Sequence, residues 1–217
     1  CSTLYNEIIL ILPIEFKEAF HLNVPASKPD KKYTYAEYLQ WPGNERWEII
    51  DGKPFLMSPA PLTEHQRVLG QLFGQIWMGL QQKPCQVFPA PFDVRLPRGE
   101  ENDNEIDTVV QPDIVVVCDP AKIDKRGCKG APDLIIEILS YSTAKKDLNE
   151  KFNLYERVGV KEYWVVFPGE AVIEVYQLGK NMKYCKTGTY QENDQIELGI
   201  LPELAIDLSL VFPQNQA

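Results

Sequence analysis

The sequence contains two short runs of consecutive apolar residues, Ile-Val-Val-Val at 114–117 and Leu-Ile-Ile at 134–136. Continuous runs of β-branched and apolar residues are typical of strands that are covered on both faces. Such strands lie in the middle of a sheet, and further layers of structure must shield each face from water. The two runs therefore predict a buried central sheet.

Helices and further strands are expected around this sheet. Apolar residues recur at helical spacing over 62–82, and a second helix is expected over 144–158. Asp51-Gly52 lies between two strand-like runs, which is a strong signal for a β-hairpin. These elements predict an α/β (α+β) fold in which helices flank a mixed β-sheet core. Other extended segments are expected at 86–96, 108–118, 134–139, 162–167 and 172–178.

The length of 217 residues suits one domain, since domains usually contain about 50–250 residues. No internal repeat and no linker rich in Pro, Gly or Ser divides the chain. We therefore expect a single domain over residues 1–217, in which residues 1–30 form an irregular N-terminal arm.

The five cysteines are scattered along the chain and form no C-x-x-C pair. This spacing argues against a disulfide framework and against a zinc ribbon. We expect reduced, largely buried thiols in a cytoplasmic protein. The apolar segment 8–14 is too short to span a membrane and lacks the basic flank of a signal peptide, so no membrane association is expected.

The residue types also exclude several kinds of chemistry. The sequence has only two histidines, so any metal would be held mostly by oxygen ligands, which favours Mg²⁺ or Mn²⁺. It contains no P-loop and no G-x-G-x-x-G, G-x-S-x-G or H-E-x-x-H motif. ATP hydrolysis, dinucleotide redox chemistry and acyl transfer therefore have no support, and no organic cofactor is expected.

The formal net charge of −9 is unfavourable for binding a nucleic acid, which usually depends on clustered Lys and Arg side chains. One basic cluster does occur, and it is either a solvated loop or a phosphate-contacting one. Composition by itself therefore does not support DNA binding. The residues of the cluster are Lys122, Lys125, Arg126 and Lys129.

Two acidic residues accompany the apolar runs. Asp113 follows a proline at the entrance of the first predicted strand, and Glu137 lies between Ile136 and Ile138 inside the second. An ionised carboxylate in such a strand costs several kcal/mol when nothing compensates it. Glu137 is therefore expected to be protonated, paired in a structural salt bridge, or bound to a cation.

Lys151 lies on the apolar stripe of the helix that follows, three residues after Leu148 and four before Tyr155. Its amine either extends to water while its stem covers the core, or reaches the carboxylates at the end of the preceding strand. The second arrangement suits phosphodiester hydrolysis. Carboxylates would hold one or two cations, and the lysine would orient a water or offset developing charge.

Several segments resemble a known family. QPDIVVV and APDLIIEILSYSTAKKDLNEKFNLYERVGVKEYWVVFP are similar to the signature of the Uma-type restriction endonuclease family, within the PD-(D/E)XK nuclease superfamily. RWEIIDGKPFLMSPAPLTEHQ and PFDVRLP match upstream elements of that family in the right order. The resemblance covers Tyr33 to Leu178, and most of its specificity lies between Gln111 and Pro168.

The resemblance implies a restriction-endonuclease-like core that uses Mg²⁺ or Mn²⁺. The implied catalytic residues are Asp113, Glu137, Lys151 and Glu48, and the implied metal ligands are Asp113, Glu137 and Ile138. The superfamily pattern expects a lysine two residues after the glutamate, where this chain has Leu139. If the site is active, Lys151 must serve from the helix instead.

Besides a metal-dependent phosphoesterase that acts on RNA or a branched junction, the sequence leads to two functional hypotheses. The first is a metal-dependent DNA endonuclease that acts as a homodimer, since two sites on a symmetric dimer would cleave both strands. The second is a catalytically weak or inactive nuclease-fold module that binds nucleic acid or a protein partner. Leu139 and the acidic net charge favour the second.

Three other residues are weaker candidates for the site. Asp133 also follows a proline, but it should lie at the far end of the same strand as Glu137, with a structural role in the preceding turn. Asp93 is either part of the family's PFDVRLP element or a hydrogen-bonded residue of the sheet. His65 is expected to cap or pack at a helix start rather than to bind metal.

Overall fold

The computed structural model describes residues 31–42, 45–57, 62–140 and 147–212. From Lys32 onwards the chain belongs to one compact unit, and the fold is described for that unit alone. The expected N-terminal arm, residues 1–30, lies outside the described residues. So does the predicted start of the second helix at Ala144.

The chain alternates between strands and a few helices. A π-helical turn at Asp147–Lys151 directly precedes the third helix. In chain order the elements are α1 (Tyr35–Tyr38), β1 (Trp47–Ile50), β2 (Lys53–Leu56), α2 (Thr63–Gly79), β3 (Gln86–Pro89), β4 (Val94–Arg95), β5 (Val109–Val110), β6 (Ile114–Val117), β7 (Ile123–Asp124), β8 (Gly127–Lys129), β9 (Leu134–Ile138), α3 (Phe152–Val158), β10 (Glu162–Phe167), β11 (Val172–Leu178), β12 (Tyr184–Gln191), β13 (Gln195–Leu198), β14 (Leu201–Asp207) and α4 (Leu208–Val211).

The central sheet has six strands in the order β12-β11-β10-β9-β6-β3. Strands β9 and β10 run parallel, because α3 connects them as a crossover, and the other neighbours in this sheet are antiparallel. The two predicted apolar runs are β6 and β9, which lie side by side inside the sheet. The prediction of a buried, mixed central sheet flanked by helices is therefore confirmed.

Both faces of the central sheet are covered. Side chains alternate between the faces of a strand, and in β6 Ile114 and Val116 pack in the cluster that contains the buried face of α2. Val115 and Val117 pack on the opposite face, together with residues of α3 and of the second sheet. Charged side chains on these inner positions are thus surrounded by other layers rather than by water.

A second six-stranded sheet has the order β2-β1-β5-β4-β8-β7. Its first two strands form the hairpin that Asp51-Gly52 predicts, and both turn residues have positive φ, 52° and 81°. Two successive residues with positive φ are what a tight two-residue hairpin turn requires. This hairpin places β1 beside β5, where Ile49 pairs with Val109.

Two segments that the sequence predicts as single strands are each divided between the sheets. The segment 86–96 forms β3 in the central sheet and β4 in the second sheet, and 108–118 forms β5 and β6 in the same divided way. Pro91 and Pro112 lie at the two crossing points. Proline has no backbone N–H and cannot continue a ladder of hydrogen bonds. The two crossings join the sheets at the end of the central strands.

The cysteines also differ from expectation. Cys85 and Cys118 form a disulfide bond, so the prediction that all thiols are reduced is wrong for this pair. Each lies one residue beyond the Gln86–Val117 pair of the antiparallel strands β3 and β6, which places the two side chains opposite one another. Among the described cysteines Cys128 and Cys185 are free, and burial raises the pKa of the Cys128 thiol to about 11.

No helix in the described ranges is long and apolar enough to cross a membrane.

A thiol titration tests the Cys85–Cys118 bond. Protein purified without reductant and unfolded in guanidinium chloride is expected to contain two fewer reactive thiols per chain than the reduced protein. The Cys85→Ser/Cys118→Ser double variant is the control and should give the same count before and after reduction. Its free energy of unfolding should be lower by about 2–4 kcal/mol, because the bond constrains the unfolded chain. Equal counts for the wild type would contradict the bond.

Candidate functional site

Asp113 and Glu137 are neighbours across two adjacent strands. In the antiparallel pair β6–β9, Ile114 lies opposite Ile136 and Val115 opposite Ile135. The same register, continued by one position, places Asp113 opposite Glu137. Asp113 and Glu137 therefore lie at the same end of the two adjacent central strands.

The Asp113 side chain lies at the open end of this pair. Its Oδ2 atom accepts a hydrogen bond from the Ile138 backbone N–H at 2.7 Å. The same oxygen is 3.3 Å from the Nε2 atom of His65, in the first turn of α2, and the Asp113 side chain is 19% exposed. One carboxylate of the pair is thus held by the backbone and still reaches solvent.

The Glu137 side chain is only 4% exposed, and polar partners compensate its burial. Its Oε1 atom accepts hydrogen bonds from Lys151 Nζ at 2.8 Å and from the Tyr155 hydroxyl at 2.7 Å. Complete burial, followed by the nearby charges of Glu137 and Glu48, raises the pKa of Tyr155 well above its usual value. Tyr155 is therefore a neutral phenol whose hydroxyl donates a hydrogen bond to the Glu137 carboxylate.

Glu48 reaches the same point from the second sheet. It lies in β1, and its Oε1 atom accepts a hydrogen bond from the Gln111 backbone N–H at 2.9 Å. The same oxygen is 2.8 Å from Lys151 Nζ. Its side chain is fully buried, at 0% exposure. Glu48 and Glu137 thus face one ammonium group from two different sheets.

Lys151 ends the π-helical turn directly before α3, one helical turn ahead of Tyr155. Residues four apart lie on one helix face, so both side chains point at the end of β9. The Lys151 side chain is 3% exposed. Of the two arrangements left open by the sequence, the amine takes the one that contacts the carboxylates, and it does not extend to water.

Leu139 occupies the position where the superfamily pattern expects a lysine. It is buried, belongs to the apolar cluster on the same face as Glu137, and its N–H donates to the Val166 carbonyl. The position two residues after the glutamate therefore completes the hydrophobic core. The amine that this chain brings to Glu137 comes from the helix instead.

The secondary candidates have structural roles. Asp93 accepts hydrogen bonds from the hydroxyls of Tyr35 and Tyr38 and from the Gln111 amide. Asp133 lies before the other end of β9, where it accepts from the Cys118 backbone N–H and from Lys161. Neither carboxylate contacts Glu137 or Lys151 in any described hydrogen bond.

The basic cluster is bound locally. Lys122 donates to the Ala131 carbonyl at 2.7 Å. Arg126 and Lys129 both lie against Asp103, at 3.3 and 3.4 Å. Because three of the four cations are already partnered, the cluster fits a solvated, largely self-compensated loop better than a phosphate-binding surface.

Two residues of this site, Tyr155 and His65, were not assigned to it from the sequence. In the sequence Tyr155 is one residue of an apolar helix stripe, and this spacing does not indicate a role for its hydroxyl. His65 was expected only to cap or pack at a helix start, yet its Nε2 atom lies 3.3 Å from the Oδ2 atom of Asp113. Its place in the first turn of a helix that starts beside a strand end was the available signal.

The donor atoms at the Asp113 end suit a hard divalent cation. The Asp113 and Glu137 carboxylates and the Ile138 carbonyl offer oxygen, and Mg²⁺ is commonly held by one or two carboxylates with water completing its shell. The Nδ1 atom of His65 is buried beside them without a hydrogen-bond partner. Within the described residues no three His, Cys, Asp or Glu side chains form a ready-made metal cluster. Water and substrate would therefore supply further ligands.

The fold is similar to that of a solved protein structure. A crystal structure titled as a "putative nuclease belonging to DUF820", from Anabaena variabilis, matches with a TM-score of 0.64. The match covers 83% of this chain and 97% of that chain at 20% sequence identity. This likeness concerns the fold.

Sequence relatives extend over the same region. Two uncharacterized proteins of Synechocystis sp., slr1290 and sll1609, are 25% and 27% identical to this chain. Each match covers 79% of this chain, and 87% and 95% of the respective relative. The Uma2 family model, described as "Putative restriction endonuclease", matches residues 35–209. The chain therefore belongs to the Uma2 family, and the resemblance seen in the sequence is confirmed.

Substitution of Lys151 tests how strongly the buried charges depend on one another. Lys151→Met is expected to lower the free energy of unfolding by about 3–5 kcal/mol, because it leaves two buried carboxylates without their common cation. Urea-induced unfolding at pH 7 measures this change.

Lys183→Met is the matched control. Lys183 also pairs with a glutamate, Glu156, but its side chain is 68% exposed. Loss of such a surface pair should change the free energy of unfolding by less than about 1 kcal/mol. Equal effects of the two substitutions would contradict a buried, mutually dependent charge cluster.

Proposed function

We propose that this protein is a Mg²⁺- or Mn²⁺-dependent DNA endonuclease that hydrolyses phosphodiester bonds at Asp113 and Glu137. One observation carries the proposal. Two carboxylates lie opposite one another at the end of adjacent central strands, and Lys151 contacts one of them. Membership of a family described as "Putative restriction endonuclease" supports DNA as the substrate.

The cation would be held by the Asp113 and Glu137 carboxylates, with the carbonyl oxygen of Ile138 as a further donor. When bound, it would polarise the phosphoryl group and favour ionisation of the attacking water. Every other contribution comes from the chain itself. The Ile138 N–H fixes the Asp113 carboxylate, and the Tyr155 hydroxyl fixes that of Glu137.

Local charge favours entry of a cation at this point. The carboxyl groups of Glu137 and Glu48 contact the ammonium group of Lys151, and the Asp113 carboxyl group is bound to the backbone N–H of Ile138, directly after Glu137. Opposite charges attract more strongly in a partly buried site than in water, since the effective dielectric constant is lower. Among the described groups, the three carboxylates outnumber the one ammonium of Lys151, and a divalent cation would offset this excess negative charge.

We propose in addition that the enzyme acts as a homodimer. Most soluble oligomers are symmetric, and two identical sites related by a twofold axis can each cleave one strand of a duplex. Size-exclusion chromatography with light scattering measures the mass, and a monomer at working concentrations would contradict this part of the proposal.

A plasmid assay tests the nuclease activity. The wild-type protein with Mg²⁺ or Mn²⁺ should convert supercoiled DNA to nicked and linear forms, and a chelator should stop the reaction. Asp113→Asn and Glu137→Gln should each lower the rate by about 100-fold or more, because several kcal/mol of transition-state stabilisation depend on the cation.

Asp133→Asn is the matched control, because Asp133 also follows a proline and lies near the other end of the same strand. It should cleave at the wild-type rate. Failure of the wild type on supercoiled, single-stranded and branched DNA would contradict the proposal. DNA binding without cleavage would favour the second hypothesis, a nuclease-fold module that binds nucleic acid.

A further inference from the structure

Lys151 lies between two buried carboxylates, Glu48 and Glu137. Its Nζ atom is 2.8 Å from Glu48 Oε1 and 2.8 Å from Glu137 Oε1. All three side chains are nearly excluded from solvent, with exposures of 3%, 0% and 4%. The ammonium group therefore lies between two carboxylates that face each other from different sheets.

A divalent cation cannot share this position with the ammonium group. Mg²⁺ needs carboxylate oxygens at about 2.0–2.1 Å, and Lys151 already fills the space between the two oxygens with a positive charge. Burial strengthens the repulsion between like charges, because little water is present to screen it. An ion on the Glu48 side would have to displace Lys151.

The Asp113 side of the site differs from the Glu48 side in its exposure to solvent and in the charge of its neighbours. The Asp113 side chain is 19% exposed, so water and ions can approach it. The neighbours of its Oδ2 atom are a backbone N–H and an imidazole nitrogen, and no lysine or arginine contacts it among the described residues. The surroundings of Asp113 therefore suit a divalent cation better than those of Glu48 do.

We infer that Lys151 acts as a built-in substitute for a second metal ion, so that the protein binds one divalent cation per chain. In this arrangement Glu48 is a positioning residue that holds Lys151, and it is not a metal ligand. The Gln111 N–H bond to Glu48 fixes the carboxylate from the backbone, which suits that role. The inference rests on the proposed function, because it assumes a cation at Asp113 and Glu137.

Calorimetric titration with Mn²⁺ measures the number of ions per chain. The wild type should bind one. Glu48→Gln, which keeps an oxygen acceptor for the Gln111 N–H, should still bind one, with a dissociation constant within about 3-fold of the wild type. Glu137→Gln should weaken binding by at least 10-fold, as expected for a lost ligand.

Lys151→Met supplies the converse test. Removal of the ammonium group leaves Glu48 and Glu137 facing each other, and this variant should bind two Mn²⁺ ions. The double variant Glu48→Gln/Lys151→Met should return to one ion, since it lacks the second carboxylate. Circular dichroism shows whether each variant is folded before it is titrated.

Each outcome decides the inference. Two ions in the wild type, loss of binding in Glu48→Gln, or one ion in folded Lys151→Met would each overturn it. If Lys151→Met does not fold, the wild-type and Glu48→Gln titrations decide alone. Two ions in the wild type would leave the proposed function intact, whereas no binding at all would overturn both.

Discussion

The buried carboxylate of Glu137 imposes a requirement on everything around it. It lies inside a strand whose neighbours pack against other layers on both faces, and an ionised group in such a place needs partners. The chain provides them from different elements: Lys151 and Tyr155 come from the helix that follows the strand. Glu48, from another sheet, shares the same ammonium group. The need to compensate the buried charge of Glu137 therefore constrains how α3 and the two sheets pack together.

The crossing of the chain between the sheets makes this meeting possible. Strand β5 ends at Val110, and the chain passes through Pro112 and Asp113 before β6 begins at Ile114. The Gln111 backbone N–H, exposed by the same crossing, holds Glu48. The segment from Gln111 to Asp113 thus places Asp113 at the open end of the site and holds Glu48 at its buried end. This irregular segment therefore contributes to the site together with the regular strands.

The source of the amine distinguishes this chain from the superfamily pattern. A lysine two residues after Glu137 would point to the same face as Glu137, because side chains alternate along a strand. Leu139 fills that place and extends the apolar core instead. The following helix returns over the same face, so a lysine at its start can reach the same carboxylate. A lysine at either of two distant sequence positions, 139 or 151, can therefore bring an amine to the Glu137 carboxylate.

The sequence by itself determined the central strands, the hairpin, the Uma2 family and the pair Asp113 and Glu137. These depend on local patterns: runs of β-branched residues, turn residues, and an acid where only apolar residues would otherwise stand. Only the tertiary structure decided the rest. The register of β6 against β9 made the acids neighbours, and the helix placement turned Lys151 inward. The Cys85–Cys118 pair was unpredictable for the same reason, since the two cysteines are far apart in sequence and no local pattern encodes their approach.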